Sequence, residues 1–201
     1  MKKLIYLLLF GLLVGCYPKG PKYVSELDLA VTNYDDSFDF SEADTYILVD
    51  SVFHGEDDGD VSRAYDQEII NRVESNMNNI GYTRVDAPNN PAGWLQTDAD
   101  IVITISAWSS TSVNYYGGYY PPYWGGGWGW YYPPGWGFVT TNTFGSVLID
   151  MSDPTTYQDD QVGIIWSGLI NGMVDNSSPS SIRSRIDTEI DQCFAHPPFN
   201  N

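Results

Sequence analysis

The sequence predicts an α+β fold in which an antiparallel β-sheet carries two amphipathic helices on one of its faces. Several segments alternate apolar and polar residues with the period of two that half-buried strands show. Two other segments place apolar residues three or four positions apart, which is the period of an amphipathic helix. The strand segments follow one another closely, as in hairpins, and about 175 residues suffice for one core. We therefore expect a single domain over residues 26–201.

The first three predicted strands are short. Leu27, Leu29 and Val31 alternate with polar or small residues, which predicts a strand with these three on its buried side. Residues 45–49 predict a second strand, and residues 82–85 predict a short third one.

The C-terminal half carries three longer predicted strands. The strand over residues 99–108 would place alternate residues on one face: Ile101, Ile103, Ile105 and Ala107. A strand over residues 138–151 precedes a predicted turn at Asp153–Pro154. In the last strand, over residues 162–174, Gly168 and Gly172 permit a bulge or a strong twist. Four of its side chains are expected to share one face: Val162, Ile164, Trp166 and Ile170.

Two helices are predicted from period and end signals. In the first, Ser62 suits the N-cap and Gly81 suits the left-handed position beyond the C-terminus. Its apolar stripe contains Tyr65, Ile69, Val73, Met77 and Ile80. The second begins at Ser178–Pro179 and stops before Pro197. Its apolar stripe contains Ile182, Ile186, Ile190 and Phe194.

The N-terminus has the features of an export signal. Lys2 and Lys3 precede an apolar run over residues 4–14 and a cysteine at position 16. A helix over that run measures about 16 Å, which is too short for a hydrocarbon core of about 30 Å. We therefore expect residues 1–15 to be removed as a signal peptide.

The end of this signal, residues 13–16, resembles a bacterial lipobox. The resemblance implies cleavage before Cys16 and acylation, with palmitate or a similar chain, of its thiol and new amine. Two or three acyl chains would anchor the protein stably in a membrane, with residues 16–25 as an extended tether. Because Tyr17 replaces the aspartate associated with inner-membrane retention, we expect the outer membrane, with the domain facing the periplasm.

The charge of the chain argues against nucleic acid as a partner. The net charge is −17, and removing Lys2 and Lys3 with the signal would lower it by two more units. Proteins bind phosphate backbones mainly through Lys and Arg, so a chain this acidic would be repelled by them. Membrane attachment would then depend on the lipid and not on a basic patch.

The order of short motifs along the chain resembles the bacterial DUF4136 family. An early strand leads to Tyr34, and the remaining matching motifs lie at residues 38–46, 80–82, 98–102, 145–153 and 162–168. The resemblance implies an envelope lipoprotein of α+β fold. Members have no assigned activity, so no catalytic or binding residue is carried over.

Between two predicted strands lies an uncharged aromatic segment, residues 114–137. Its composition is Tyr, Trp, Gly and Pro apart from Asn114, and it predicts an enlarged hairpin tip. Three interpretations stay open: a mobile tip covering the sheet, a surface that stacks on a glycan or a protein partner, and an aromatic belt in lipid headgroups. The candidate ligand-binding residues are Tyr115, Tyr116, Tyr119, Tyr120, Tyr123, Trp124, Trp128, Trp130, Tyr131, Tyr132 and Trp136.

No pattern in the sequence predicts catalysis or a cofactor. The two histidines, His54 and His196, lie in no recognisable catalytic arrangement. Cys193 is expected to be a buried, inert thiol on the second helix. Glycan hydrolysis would need a carboxylate pair, for which the chain offers Asp98 with Asp100 and Asp159 with Asp160.

The acidic loop after His54 is predicted to be a solvated turn, with calcium binding as the alternative. Its carboxylates, Glu56, Asp57, Asp58 and Asp60, lack the spacing of an EF-hand. We therefore expect no resident metal and a non-catalytic binding or scaffolding role in the envelope. The alternatives are a peptidoglycan hydrolase and a calcium-dependent binding module.

Overall fold

The computed structural model describes residues 30–54, 62–88, 93–108, 114–116, 119–120, 129–133, 136–139, 145–174 and 178–199. The predicted signal peptide, Cys16, the tether and the first residues of the predicted first strand lie outside these residues. So do Glu56 to Asp60 of the acidic loop.

The described residues form ten strands and two α-helices. The strands are β1 Ala30–Tyr34, β2 Thr45–His54, β3 Thr83–Arg84, β4 Ile101–Trp108, β5 Asn114–Tyr116, β6 Tyr119–Tyr120, β7 Gly129–Tyr131, β8 Gly137–Val139, β9 Ser146–Gln158 and β10 Gln161–Ile170. The helices are α1 Asp66–Asn79, which follows a short 3-10 helix Arg63–Tyr65, and α2 Pro179–Phe194.

The main sheet is mixed, and most of its long neighbours are antiparallel. Its order is β3, β2, β4, β9, β10, β7 and β6, and β1 also pairs with β10. The α+β prediction is confirmed, but β2 runs parallel to both β3 and β4, and β7 runs parallel to β10. Parallel neighbours need a crossover connection, and α1 lies in the chain that returns from β2 to β3 and β4.

Both helices pack on one face of the sheet, as predicted. One core cluster joins the buried residues of α1 and α2 to the odd-numbered residues of β4, including Ile101, Ile103 and Ile105. Ser62 Oγ accepts a hydrogen bond of 3.3 Å from the Ala64 amide, which caps the 3-10 turn before α1. Gly81 has a φ of 103° after the end of α1. The helix end signals in the sequence are therefore confirmed.

The opposite face of the sheet is also covered; one interpretation of the aromatic segment anticipated part of this cover, whereas the contribution of Trp94 and Leu95 was not predicted. Trp94 and Leu95 pack there with Val102, and so does Tyr132, from the aromatic segment. The indole nitrogen of Trp94 donates a hydrogen bond of 2.8 Å to the Pro88 carbonyl. The sheet is thus a central layer between the two helices and a second, partly aromatic cover.

Strand β1 exposes the face that was predicted to be buried. Val31 is 38% exposed, whereas Ala30 packs against the helix-side core. Ala30 pairs with Ile170, so both point to the helix side, and Val31 pairs with Leu169 and points the other way. The second cover does not extend over Val31 on this outer strand. Alternation of apolar and polar residues alone therefore predicted the wrong buried side for β1.

Strand β10 changes faces in its middle. Its pairing with β9 shifts register between Ile164 and Trp166. As a result Val162 and Ile164 lie in the core cluster with Trp94, whereas Trp166 and Ile170 lie in the helix-side cluster. The prediction that all four share a face is wrong, because a bulge reverses the alternation of side chains.

The turn predicted at Asp153–Pro154 is displaced. Strand β9 continues through both residues to Gln158, and the chain reverses at Asp159 and Asp160, whose φ values are 50° and 58°. Positive φ at both central positions is typical of the two-residue turns that match the twist of a hairpin. Asp153 instead lies where the pairing with β10 is irregular.

Candidate functional site

The structure divides the predicted aromatic residues among several strands. Tyr115 and Tyr116 lie in β5, Tyr119 and Tyr120 in β6, and Trp130 and Tyr131 in β7. Tyr132 and Trp136 follow β7, and three residues lie outside the described part of the chain: Tyr123, Trp124 and Trp128. Since β4 and β9 are antiparallel neighbours, the segment does connect two strands of a hairpin, as predicted.

Part of the aromatic segment extends the main sheet. Strand β7 pairs with the first residues of β10, from Gln161 to Gly163, and β6 adds to β7. Strand β1 pairs with the remainder of the same β10 edge, and the Asp35 amide donates a hydrogen bond of 2.8 Å to the Ile165 carbonyl. Strands β1 and β7 therefore lie end to end along one edge of β10.

A groove lies where these two strands meet, near the turn of the β9–β10 hairpin. This hairpin groove has a volume of about 490 Å³, which is within the range of ligand sites, about 300 to 1,000 Å³. Its side chains come from the turn after β1, from β7, and from β9 and β10: Asp35, Ser37, Phe38, Tyr131, Pro133, Asp153, Thr156, Gln158, Gln161, Val162, Ile164 and Ile165. Tyr131, one of the predicted ligand-binding residues, is 46% exposed there.

Two carboxylates in the groove are held in fixed orientations. Asp35 Oδ1 accepts hydrogen bonds from the amide of Ser37 at 2.9 Å and from its hydroxyl at 2.6 Å. Asp153 Oδ1 accepts the same pair from Thr155, at 2.8 Å and 2.6 Å. In each case the structure records these bonds on Oδ1 only, so Oδ2 can accept from a ligand. Among the described residues, the groove lining contains no Lys, Arg or His.

The irregular part of β9 is braced against β10. Thr156 Oγ1 donates to the Asp153 carbonyl at 2.7 Å and accepts from the Gly163 amide at 2.8 Å. A Cβ on Gly163 would lie 2.9 Å from Thr156 Oγ1, so only glycine permits this approach. This irregularity lies at the register shift between Gln161 and Gly163, which is separate from the shift between Ile164 and Trp166, and it shapes one wall of the groove.

Directly after Tyr131, the chain is tied to a buried carboxyl. Tyr132 is 6% exposed, and its hydroxyl donates a hydrogen bond of 2.7 Å to Asp150 Oδ2. Ser167 Oγ donates a short hydrogen bond to Asp150 Oδ1. Burial raises the pKa of Asp150 to about 7, although both hydrogen bonds favour its charged form. The sequence patterns did not identify this group, and the available signal was an Asp among apolar residues in a predicted strand.

The other residues singled out in the sequence have structural positions. His54 Nε2 lies 3.0 Å from Asp66 Oδ1, at the start of α1, and its ring is almost fully buried. Cys193 is buried, and burial raises the pKa of its thiol to about 12. His196 lies exposed just beyond α2, as expected. In the part of the chain that the structure describes, no three His, Cys, Asp or Glu side chains form a metal site.

The carboxylate pairs considered for hydrolysis lie outside the hairpin groove. Asp100 binds the start of β2 through its carboxylate, and Asp98 is exposed before β4. Asp159 and Asp160 form the β9–β10 turn. The carboxylates that do line the groove are Asp35 and Asp153. Over the described residues, no helix is both long and apolar enough to cross a membrane.

Comparisons with known proteins agree with this fold. The family described as "Domain of unknown function (DUF4136)" matches residues 30–199. A crystal structure of a DUF4136 family protein from Bacteroides thetaiotaomicron superposes with a TM-score of 0.59 at 23% identity, covering 86% of this chain and 96% of that chain. A PelC dodecamer from Paraburkholderia phytofirmans gives a TM-score of 0.42 at 10% identity, covering 83% and 94%. No curated protein matches the sequence.

Proposed function

The chain belongs to the DUF4136 family, and from that premise we propose that it is a lipid-anchored envelope protein that binds a glycan without catalysis. In this proposal the hairpin groove holds the glycan, and acyl chains on Cys16 hold the protein at the outer membrane, with its domain in the periplasm. Peptidoglycan is the glycan that such a position would make available.

The order of features at the N-terminus supports the anchor. A basic start, an apolar run of eleven residues and a small residue precede Cys16, as in acylated bacterial proteins. The mature protein would be strongly acidic, so electrostatic attraction to anionic lipid cannot replace the acyl chains. A covalent lipid would therefore be the element that keeps the domain at a membrane.

The exposure of Tyr131 in a groove lined by both polar and apolar side chains is the observation that carries the glycan proposal. The residue is 46% exposed, and tyrosine offers an apolar ring face and a hydroxyl, the combination that aromatic residues bring to binding surfaces. Oriented acceptors on Asp35 and Asp153 would bind sugar hydroxyls, and Gln158 and Gln161 supply both donors and acceptors. Among the described residues the lining has no Lys, Arg or His, so the uncharged sugar, and not the carboxylates of a peptide stem, would occupy the groove.

Binding of peptidoglycan fragments tests the groove directly. We expect soluble disaccharide-peptide fragments to bind the purified protein in calorimetry, and Tyr131→Ala to weaken binding by about tenfold, equivalent to 1.4 kcal/mol. Tyr34→Ala is the matched control, because Tyr34 is 41% exposed on β1 of the same edge and lies outside the groove. Equal losses in both variants, or no binding by the unaltered protein at millimolar fragment, would refute the proposal.

Hydrolysis of the glycan is the second candidate, since Asp35 and Asp153 both line the groove. A glycosidase needs two carboxyl groups about 5 to 9.5 Å apart across the bond that is cleaved. We expect no cleaved fragments by mass spectrometry after prolonged incubation. Release of new reducing ends that Asp35→Asn or Asp153→Asn abolishes would establish the enzyme instead.

The anchor is tested separately by intact mass. Protein extracted from native envelopes should begin at Cys16 and exceed the mass of its residues by two or three acyl chains. Cys16→Ser should retain the uncleaved signal or leave the membrane fraction. A native chain that begins elsewhere, without added mass, would remove the anchoring proposal while leaving glycan binding to be judged by calorimetry.

A further inference from the structure

The Asp150 carboxyl is a buried acid without a cationic partner among the described residues. Its neighbours on the adjacent strands are Thr104 of β4 and Ser167 of β10, which are uncharged. Tyr132 is the one titratable side chain that contacts it in the described part of the chain. The residue itself is 2% exposed. Asp150 therefore depends on two hydroxyl donors when it is charged.

This contact connects the centre of the sheet to the wall of the hairpin groove. Asp150 lies in the middle of β9, between β4 and β10. Tyr132 directly follows Tyr131, the exposed aromatic residue of the groove, and its ring centroid lies 6.5 Å from that of Trp136. The hydrogen bond from Tyr132 thus fixes the chain at the point where β7 ends.

We propose that Asp150 and Tyr132 form a proton-dependent latch, in which the neutral carboxyl keeps the chain around β7 closed over the sheet and its ionisation loosens that chain. When the latch opens, water reaches Asp150 and Tyr131 loses its fixed position on the β10 edge. The latch thus regulates the geometry of the groove. It does not depend on which ligand the groove binds.

The direction of the effect follows from the raised pKa. In the closed state the pKa of Asp150 is about 7, whereas the pKa of a solvated aspartate carboxyl has its ordinary value of 3.8. The closed state is therefore most favoured below about pH 4, and it loses stability as the pH rises toward 7. Between these limits each pH unit favours opening by as much as about tenfold.

Hydrogen exchange of β7 measures the opening. Backbone amides in residues 129–131 are followed by mass spectrometry in the full chain and in Asp150→Asn, from pH 5 to pH 8. Comparing the two proteins at each pH cancels the intrinsic pH dependence of exchange. We expect the exchange rate of the unaltered protein, relative to Asp150→Asn, to rise by about 100-fold over this range. A constant ratio would overturn the proposal.

A carboxyl titration keeps the test decisive if Asp150→Asn does not fold. In the unaltered protein, carbon-13 NMR should show one aspartate carboxyl that titrates near neutral pH. Tyr132→Phe should raise this pKa further, because the phenol that stabilises the carboxylate is lost. Tyr131→Phe is the matched control and should leave it unchanged. The absence of any aspartate titrating above about pH 5.5, or an equal change in both tyrosine variants, would also overturn the latch.

Discussion

The carboxylate of Asp100 binds Thr45 where the neighbouring strands β2 and β4 begin. Asp100 Oδ2 accepts hydrogen bonds from the Thr45 hydroxyl at 2.7 Å, from the Thr45 amide at 2.9 Å and from the Asp44 amide at 3.0 Å. The Thr45 hydroxyl also accepts from the Asp100 amide at 3.2 Å. This contact joins the residue before β4 to the start of β2, and so aligns two parallel strands.

Loss of this carboxylate should destabilise the fold. We expect Asp100→Ala to reduce the free energy of unfolding by about 2 to 3 kcal/mol, since hydrogen bonds to a charged group contribute about 1.5 to 3 kcal/mol. Asp98→Ala is the matched control and should change it by less than about 0.5 kcal/mol, because Asp98 is exposed. Urea unfolding measures both, and similar effects would contradict the assigned role of Asp100.

The contribution of Asp100 should disappear in acid. The Thr45 hydroxyl, followed by the Thr45 and Asp44 amides, holds the pKa of Asp100 below its ordinary value of 3.8. A lowered pKa contributes stability above the unfolded value that is lost as the pH falls through the folded one. The stability difference between the unaltered protein and Asp100→Ala should therefore be constant above about pH 5 and shrink below pH 4. A difference that grows in acid would be inconsistent with this contact.

Gly145 should tolerate a side chain less well than Gly81. Both have positive φ values, 71° and 103°. A Cβ on Gly145 would lie 1.9 Å from the Val174 carbonyl oxygen, whereas a Cβ on Gly81 would meet nothing within 4 Å. We expect Gly81→Ala to cost about 1 to 2 kcal/mol through backbone strain, and Gly145→Ala about 3 kcal/mol or more. Thermal and urea unfolding of the two variants give the comparison, and equal costs would argue against this approach of the chain at Gly145.

Two ion pairs that join α1 to α2 should differ in strength, and that of Arg72 with Asp191 should be stronger than the more exposed pair of Arg183 with Glu68. Arg72 Nε donates to Asp191 Oδ1 at 2.7 Å, and the side chains of Arg72 and Asp191 are 32% and 45% exposed. The neighbouring pair of Arg183 with Glu68 is more exposed at its arginine, 60%. Double-mutant cycles to alanine should give a coupling of about 1 kcal/mol for the first pair and less than about 0.5 kcal/mol for the second. The reverse order would contradict the two-point contact of the Arg72 guanidinium with the Asp191 carboxylate.

Cys193 should react only when the protein unfolds. Its side chain is buried in the helix-side core, and burial raises the pKa of its thiol to about 12. Cys16→Ser leaves Cys193 as the one cysteine of the chain. Because a thiol reacts as its thiolate, we expect a thiol reagent not to label this folded variant over several hours at neutral pH. One thiol should become reactive in denaturant. Rapid labelling of the folded protein would mean that α2 separates readily from the sheet.

End signals and apolar period sufficed to predict both helices. The end signals act on residues within one helical turn: Ser62, Gly81, Ser178 and Pro179. Each apolar stripe requires only that one face of the helix pack on a large apolar surface. Strand β4 was also predicted from a local pattern, because the side chains alternate between the two faces without interruption from Ile101 to Ala107. These features depend on neighbours in the chain.

The direction of pairing and the exposed faces depended on distant residues. Val31 is exposed because β1 lies at an outer edge, and Val162 is separated from Trp166 by a bulge that the pairing with β9 imposes. The second cover of the sheet likewise required Trp94 and Tyr132 to meet from different parts of the chain. No local pattern encodes such contacts.

The candidate site combines both kinds of information. Composition alone drew attention to the aromatic segment, with Tyr131 among its residues, and to the acidity of the chain, whereas the envelope location is a prediction from the N-terminal residues. Only the tertiary structure decided that Tyr131 shares a groove with Asp35 and Asp153, and that Tyr132 meets Asp150. The physical reason is that period and capping are short-range properties of the chain, whereas a groove and a buried carboxyl are created when strands far apart in sequence exclude water together.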